Sequence, residues 1–230
     1  MINIFKSHYS VGKSIITFDR SGEDEKSLFS IAKKLGLTEV FVLEDSLAGF
    51  AEAYFNAKEE GVSLRFGGLL KHGEDKDNLS KFGVFAKNTD GYKHLVKLYS
   101  HQETNNGFLT AAEIKDFWDE SLMMVIPFYD SFLFKNLFEG KICIFDTSLK
   151  PIFFLEQNDL PFDDFLREKV LNLAKDLDCE TLETQTCYYP NEEYFDAWQT
   201  LKAMNNRGYR GADLGRPNLD HCGSSNFFPK

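Results

Sequence analysis

The chain has 230 residues, 43% hydrophobic and 27% charged, enough apolar material for one large domain or two small ones and too much for wholesale disorder. Its 36 acidic against 26 basic residues give a formal charge of −10, so the surface as a whole repels phosphates and does not suit unaided grip on a duplex. Four widely spaced cysteines without a C-x-x-C pair argue against a cysteine zinc site or a disulfide framework. With no signal-peptide pattern and no apolar run of about 18 residues, a cytoplasmic setting is expected.

In chain order, residues 2–5 are a short apolar run expected as a first strand. Ser21-Gly-Glu-Asp reads as the opening of a helix on which Leu28, Ile31, Ala32 and Leu35 keep helical spacing up to Gly36. A buried strand is expected at 40–43. A helix capped by Ser46 should follow, with Leu47, Phe50, Ala51 and Tyr54 on its apolar face and a stop before Gly61. Residues 62–66 read as the next strand, 71–81 as an exposed charged loop and 82–86 as a strand. A helix over 89–100 turns Tyr92, Leu95, Val96 and Tyr99 inward, and a short one follows at 110–117. Further strands are expected at 122–127, 141–145, 151–156 and 181–186, and helices at 131–138, 162–177 and from Pro190 to Met204. The remainder, rich in Gly, Asn and Arg, reads as loop. Repeated strand-then-helix units predict an α/β fold: a sheet of largely parallel strands covered by helices, open or closed into a barrel. Any site should lie at the C-terminal ends of the strands.

The chemical signals are sparse. Gly12-Lys13-Ser14 lacks what a phosphate-binding loop needs, because Ser7 stands where the earlier glycine belongs and Ile15-Ile-Thr-Phe is a poor helix start. None of His8, His72, His94, His101 and His221 stands at metal-ligand spacing from another, so each reads as solvated or singly hydrogen-bonded, His72 within the charged loop. Glu44 and Asp45 fall at the end of the second strand, where a barrel places catalytic groups; Asp45 equally suits capping the helix that follows. Asp24-Glu25 and Glu192-Glu193 suit first helical turns, where negative charge is favoured. Cys187 follows a strand end, and no neighbour that would activate its thiol is assigned.

Several stretches share their order with one known family. Ala32-Lys-Lys-Leu-Gly36, Ser46-Leu-Ala-Gly49, Glu52, Tyr54 and Gly61-Val-Ser-Leu-Arg-Phe-Gly67 come first. Ala86-Lys-Asn-Thr-Asp-Gly-Tyr-Lys-His-Leu-Val-Lys-Leu98, Phe153-Phe-Leu-Glu156 and Leu173-Ala-Lys-Asp-Leu177 follow, then Tyr189 with Asn191-Glu-Glu-Tyr-Phe-Asp-Ala197, and Asn226-Phe-Phe-Pro-Lys230. Together they resemble the N-terminal polymerase-and-histidinol-phosphatase (PHP) domain of bacterial DNA polymerase III alpha subunits, in collinear order over nearly the whole chain. The resemblance implies a distorted, TIM-like β/α barrel of seven strands over residues 1–204, and a connector at 205–230 towards a palm domain beyond this chain.

The departures from that family concern its metal site. Active members carry an H-x-H ahead of a Tyr-Ser pair; counting back from Tyr9-Ser10, those places hold Ile4 and Lys6. The acidic residue after the third strand's glycine corresponds to Leu69, the late D-x-H to Thr186 and Tyr188, and the T-D-H stretch to Leu43-Glu-Asp45. Ile and Leu cannot ligate a metal, and Lys6 puts a positive charge where cations would sit. Lys6 is therefore expected to replace metal charge by pairing with Glu44 or Asp45. The resemblance thus implies a non-catalytic domain without a cofactor of its own, Mg2+ belonging to the palm of the parent DNA-directed DNA polymerase. It would brace that polymerase and offer a surface to a proofreading exonuclease, meeting DNA only indirectly and no membrane. The helix at 164–177 and the tail arginines Arg207, Arg210 and Arg216 are candidate contact regions. The alternatives are a metal-dependent phosphoesterase or 3′–5′ exonuclease with a rearranged site around Glu44, Asp45 and His8, and a free-standing binding protein.

Overall fold

Strand β1 (Ile2–Phe5) pairs in parallel with β2 (Glu39–Glu44), Ile4 opposite Phe41 and Phe5 opposite Val42, in a computed structural model that describes residues 1–206 and 225–230. With β3 (Ser63–His72), β4 (Ser80–Ala86), β5 (Leu122–Ile126), β6 (Ile152–Leu155) and β7 (Thr181–Cys187), the strand order is β1-β2-β3-β4-β5-β6-β7, closed as a barrel. The expected α/β barrel of seven strands is therefore the fold. Its strands are not all parallel. β5 runs parallel to β6 and β6 to β7, whereas β4 is antiparallel to both β3 and β5. The cause is the connection: residues 73–79 are too few for the crossover that a parallel return requires, so β3 and β4 form a hairpin.

By its internal contacts the chain divides into two compact units. The first holds Met1–Leu64, Gln157–Asp163 and Gln185–Lys230, and the second Arg65–Glu156 and Asp164–Thr184. In the first unit, α1 (Leu28–Leu35) starts later than its sequence pattern suggests. Ser27 caps it, accepting from the Phe29 and Ser30 N–H groups, a contact worth about 1 kcal/mol, and Gly36 ends it in the left-handed region at φ 66°. Asp24 and Glu25 therefore precede the helix instead of filling its first turn. Helix α2 (Phe50–Glu60) begins at Gly49 with no side-chain cap, so neither Ser46 nor Asp45 caps it. Its buried face is Ala53 and Ala57; of the expected apolar face Leu47 and Phe50 are half-buried, while Ala51 and Tyr54 are exposed, as is Phe55. A 3-10 turn (Glu192–Tyr194), capped by Asn191, leads into α7 (Phe195–Asn206). The tail returns to β1, where the Asn3 side-chain amide bonds both the N–H and the carbonyl of Lys230.

In the second unit, β3 runs six residues past the predicted end at Phe66, taking in Lys71 and the buried His72, which were expected in an exposed loop. His72 Nδ1 lies 2.9 Å from the Leu109 carbonyl oxygen, which answers its polarity inside the core. Helix α3 (Thr89–Thr104) buries Leu95, Leu98 and Gln102, and Val96 faces outward. Thr110 closes a capping box with Glu113 on α4 (Ala111–Phe117). Helix α5 (Phe132–Phe138) is followed by residues 141–145, which among the described residues pair with no strand despite their strand-like pattern; α6 (Asp163–Asp176) precedes β7. Among the described residues no helix is long and apolar enough to cross a membrane. Arg207, Arg210, Arg216, His221 and Cys222 lie outside the described residues.

Gly91, in the first turn of α3, shows how closely that helix meets the strand layer: a Cβ there would run into the backbone oxygen of Ser121. Gly91→Ala would gain roughly 1 kcal/mol of helix propensity. It is nevertheless expected to lower stability by about 1–3 kcal/mol, because backbone cannot move aside cheaply. Urea unfolding of both proteins checks the sign.

Candidate functional site

Parallel pairing of β1 and β2 delivers the residues after each strand to the same end of the sheet, and there Lys6 meets Asp45. Lys6 Nζ lies 3.4 Å from Asp45 Oδ2, with the lysine side chain only 6% exposed. Lys13 Nζ, from the loop after β1, reaches the other carboxylate oxygen at 2.9 Å. Two ammonium groups share one carboxylate.

Glu44, the last residue of β2, is fully buried. Its Oε1 accepts the Ser7 N–H at 2.6 Å and its Oε2 accepts the Ser10 hydroxyl at 2.5 Å. Ser10 Oγ in turn accepts the Asp45 N–H at 3.2 Å, so one serine bridges the two acidic residues. Burial pushes the Glu44 carboxyl above the usual glutamate range, and the Lys6 charge and the bonds from Ser10 and Ser7 pull against that shift.

The loop between Lys6 and Ile16 is fixed from other sides as well. Ser14 Oγ lies 2.6 Å from the Lys6 carbonyl oxygen and 2.8 Å from that of Tyr188. Backbone bonds from Lys6 N to Cys187 O and from Ile15 N to Tyr188 O, both 3.0 Å, join the loop to the end of β7. The Trp198 indole N–H donates to the Lys13 carbonyl at 2.7 Å, and Tyr188 stacks on the Trp198 ring. Tyr9 donates its hydroxyl to Glu52 at 2.6 Å; that bond, with burial, raises the phenol above its ordinary pKa. Gly49 makes room for the Tyr9 ring, since a Cβ at that position would strike it.

The residues singled out from sequence scatter more widely than expected. Ile4 is buried on β1, Thr186 is half-buried on β7, and Tyr188 follows that strand. Leu69 is half-buried on β3 in the second unit. His8 is exposed, its Nδ1 3.4 Å from the Ile16 carbonyl oxygen and its ring against Tyr9, and it bonds to neither Glu44 nor Asp45. Ser7 and Ser14 drew notice only in a failed phosphate-loop pattern and Ser10 only in a Tyr-Ser pair; their hydrogen bonds were not anticipated, because small hydroxyl residues carry no spacing signal. Lys13 drew notice only as part of a failed phosphate-loop pattern, yet its charge is spent on Asp45. Cys187 is buried, with its Sγ 3.4 Å from the Gln185 carbonyl oxygen.

These side chains do not fit a polynuclear metal centre. Ile4 has no lone pair to offer, and an ammonium already lies against the carboxylate that would take a cation. Among the described residues no three His, Cys, Asp or Glu side chains are grouped to hold one ion.

No family profile matches the chain, and no curated protein does. Twenty solved chains match in structure. One is a candidate metal-dependent phosphoesterase from Bifidobacterium adolescentis, 13% identical over 80% of this chain and 87% of that one, with a TM-score of 0.47.

The buried carboxyl makes a pH prediction. A carboxyl raised in the folded state binds its proton more tightly there than in the unfolded chain. Its contribution to stability is therefore full below the unfolded value, about 4.3, and is lost as pH rises through the higher folded value. Glu44→Gln keeps an acceptor for Ser7 and removes the titration. Stability of the wild type relative to this variant should fall as pH rises across that window in urea melts. A difference that does not change with pH would contradict the assignment.

Proposed function

We propose that this chain is a non-catalytic PHP-type barrel domain of a bacterial-type DNA polymerase III alpha subunit, bracing the polymerase and presenting a surface to partners such as a proofreading exonuclease. One observation carries the non-catalytic reading: the Lys6 ammonium, almost entirely buried, lies 3.4 Å from Asp45 at the strand ends where the resemblance places metal ligands. A fixed internal cation does electrostatically what a bound ion would do, but it offers no open coordination position and cannot activate water. The polymerase assignment is supported by the collinear motifs, among them the Tyr9-Ser10 pair, Glu52 and Gly49, which the fold uses together: Tyr9 bonds Glu52 and packs against Gly49.

Glu44, in this reading, is a structural acid that holds the first loop, and Ser10 is its tether. Chemistry belongs to a palm domain encoded beyond residue 230, so the gene should continue in frame into one. The test of the domain itself is direct. After dialysis against Mn2+ or Zn2+ the purified chain should retain no metal above background by mass spectrometry, and should cleave neither p-nitrophenyl phosphate nor single-stranded DNA ends. Stoichiometric metal together with hydrolysis that Asp45→Ala abolishes would overturn the reading.

A further inference from the structure

Residues 139–151 carry the chain from α5 to β6 without regular structure. Among the described residues, backbone groups from 142 to 149 bond no backbone outside that segment. Side chains hold it instead, at three successive points. The Asn136 amide, on α5, accepts the Cys143 N–H at 2.7 Å through Oδ1 and donates to the Cys143 carbonyl at 2.9 Å through Nδ2. The Phe145 ring stacks on Phe132 at 5.5 Å and meets Phe82 at 5.6 Å and, edge to face, the buried His72 at 5.1 Å. Asp146 pairs with Lys115 of α4 at 2.6 Å. The ends are anchored apart from these, Lys141 N to the Lys135 carbonyl at 3.3 Å and Lys150 Nζ to the Leu177 carbonyl at 2.9 Å.

We propose that residues 142–149 form a strap that opens as one unit while β3, β4 and β5 stay paired, baring the Cys143 thiol and a slot for one aromatic ring between Phe82, Phe132 and His72. Local opening concentrates where few apolar groups are buried and few backbone bonds hold the chain. The strap meets both conditions, since Ile142 and Ile144 are 79% and 72% exposed and its attachments are made by side chains. The layer beneath is held differently: Phe82 is fully buried on β4, which ladders to β3 and to β5. Lifting the strap therefore breaks none of those sheet hydrogen bonds. While it is closed, Cys143 is buried, with its Sγ 3.8 Å from the Leu79 carbonyl oxygen. Burial raises that thiol above its ordinary pKa, against an opposing pull from Lys135 and Lys141, and keeps it protonated and unreactive. Phe145 is the slot's own occupant, so closing the strap and filling the slot are one event.

Labelling of Cys143 by iodoacetamide in the native chain, followed by peptide mass spectrometry, tests this. With labelling slower than reclosing, the rate follows the open fraction. Two variants loosen the strap from outside it. Asn136→Ala removes the amide clamp, leaves a better helix former on α5, and should raise the rate about tenfold. Lys115→Met cuts the half-exposed ion pair at Asp146, away from the cysteine, and should raise it about threefold. In both, the rate should climb with urea far less steeply than unfolding of the whole chain, because a strap exposes little new surface. An unchanged Cys143 rate in Lys115→Met would overturn the proposal, since the segment would then not open as one unit. A urea dependence as steep as that of whole-chain unfolding would overturn it as well.

Discussion

A carboxyl group taken wholly out of water must be met by donors from the protein, and at Glu44 those donors come from the turn after β1. That demand shapes the end of the sheet. The Ser7 N–H and the Ser10 hydroxyl can reach Glu44 only if the chain folds back directly after Lys6, and that turn sets Lys6 beside Asp45. Ser10 reaches on to the Asp45 N–H, so the turn and the end of β2 are a single hydrogen-bonded body. Ser14 and Trp198 hold the far side of the same loop.

The position of the ammonium decides what such a site can do. A metal site gains its chemistry from an exchangeable position in which water or substrate takes up the ion's charge. Lys6 carries a charge of the same sign on a covalent tether, inside the protein, with its carboxylate already in place. The strand-end groups hold the first loop against the end of β2.

Much of the fold was legible because short apolar runs between turn residues leave few options. Residues 2–5 are β1 as read, and Gly36 stops α1 where the spacing ends. Other readings failed for identifiable reasons. The glycines Gly67 and Gly68 and the polar Lys71 and His72 break the alternation of β3, but hairpin pairing with β4 carries the strand through them. Helix α2 packs on the small residues Ala53 and Ala57, which leaves larger neighbours outside, a choice made by tertiary fit that apolar periodicity does not report. Residues 141–145 have strand chemistry, but the Asn136 amide takes the place of a partner strand. Of the site, Glu44 and Asp45 could be named in advance from their place at a strand end, and Lys6 because a resemblance marked its position. The bonds of Ser7 and Ser10 could not be read, since they depend on a carboxylate more than 30 residues away in the chain.

The account stands or falls on whether the Lys6 ammonium is the cation at these strand ends. Amide signals of the isotope-labelled chain, followed while Mn2+ is added to stoichiometry, test that most directly, because a bound paramagnetic ion broadens its neighbours. The account predicts no selective broadening of Lys6, Ser7, Ser10 or Asp45 beyond that of exposed carboxylates elsewhere. Selective loss of those signals at one equivalent of Mn2+ would place an ion beside Asp45 and contradict it.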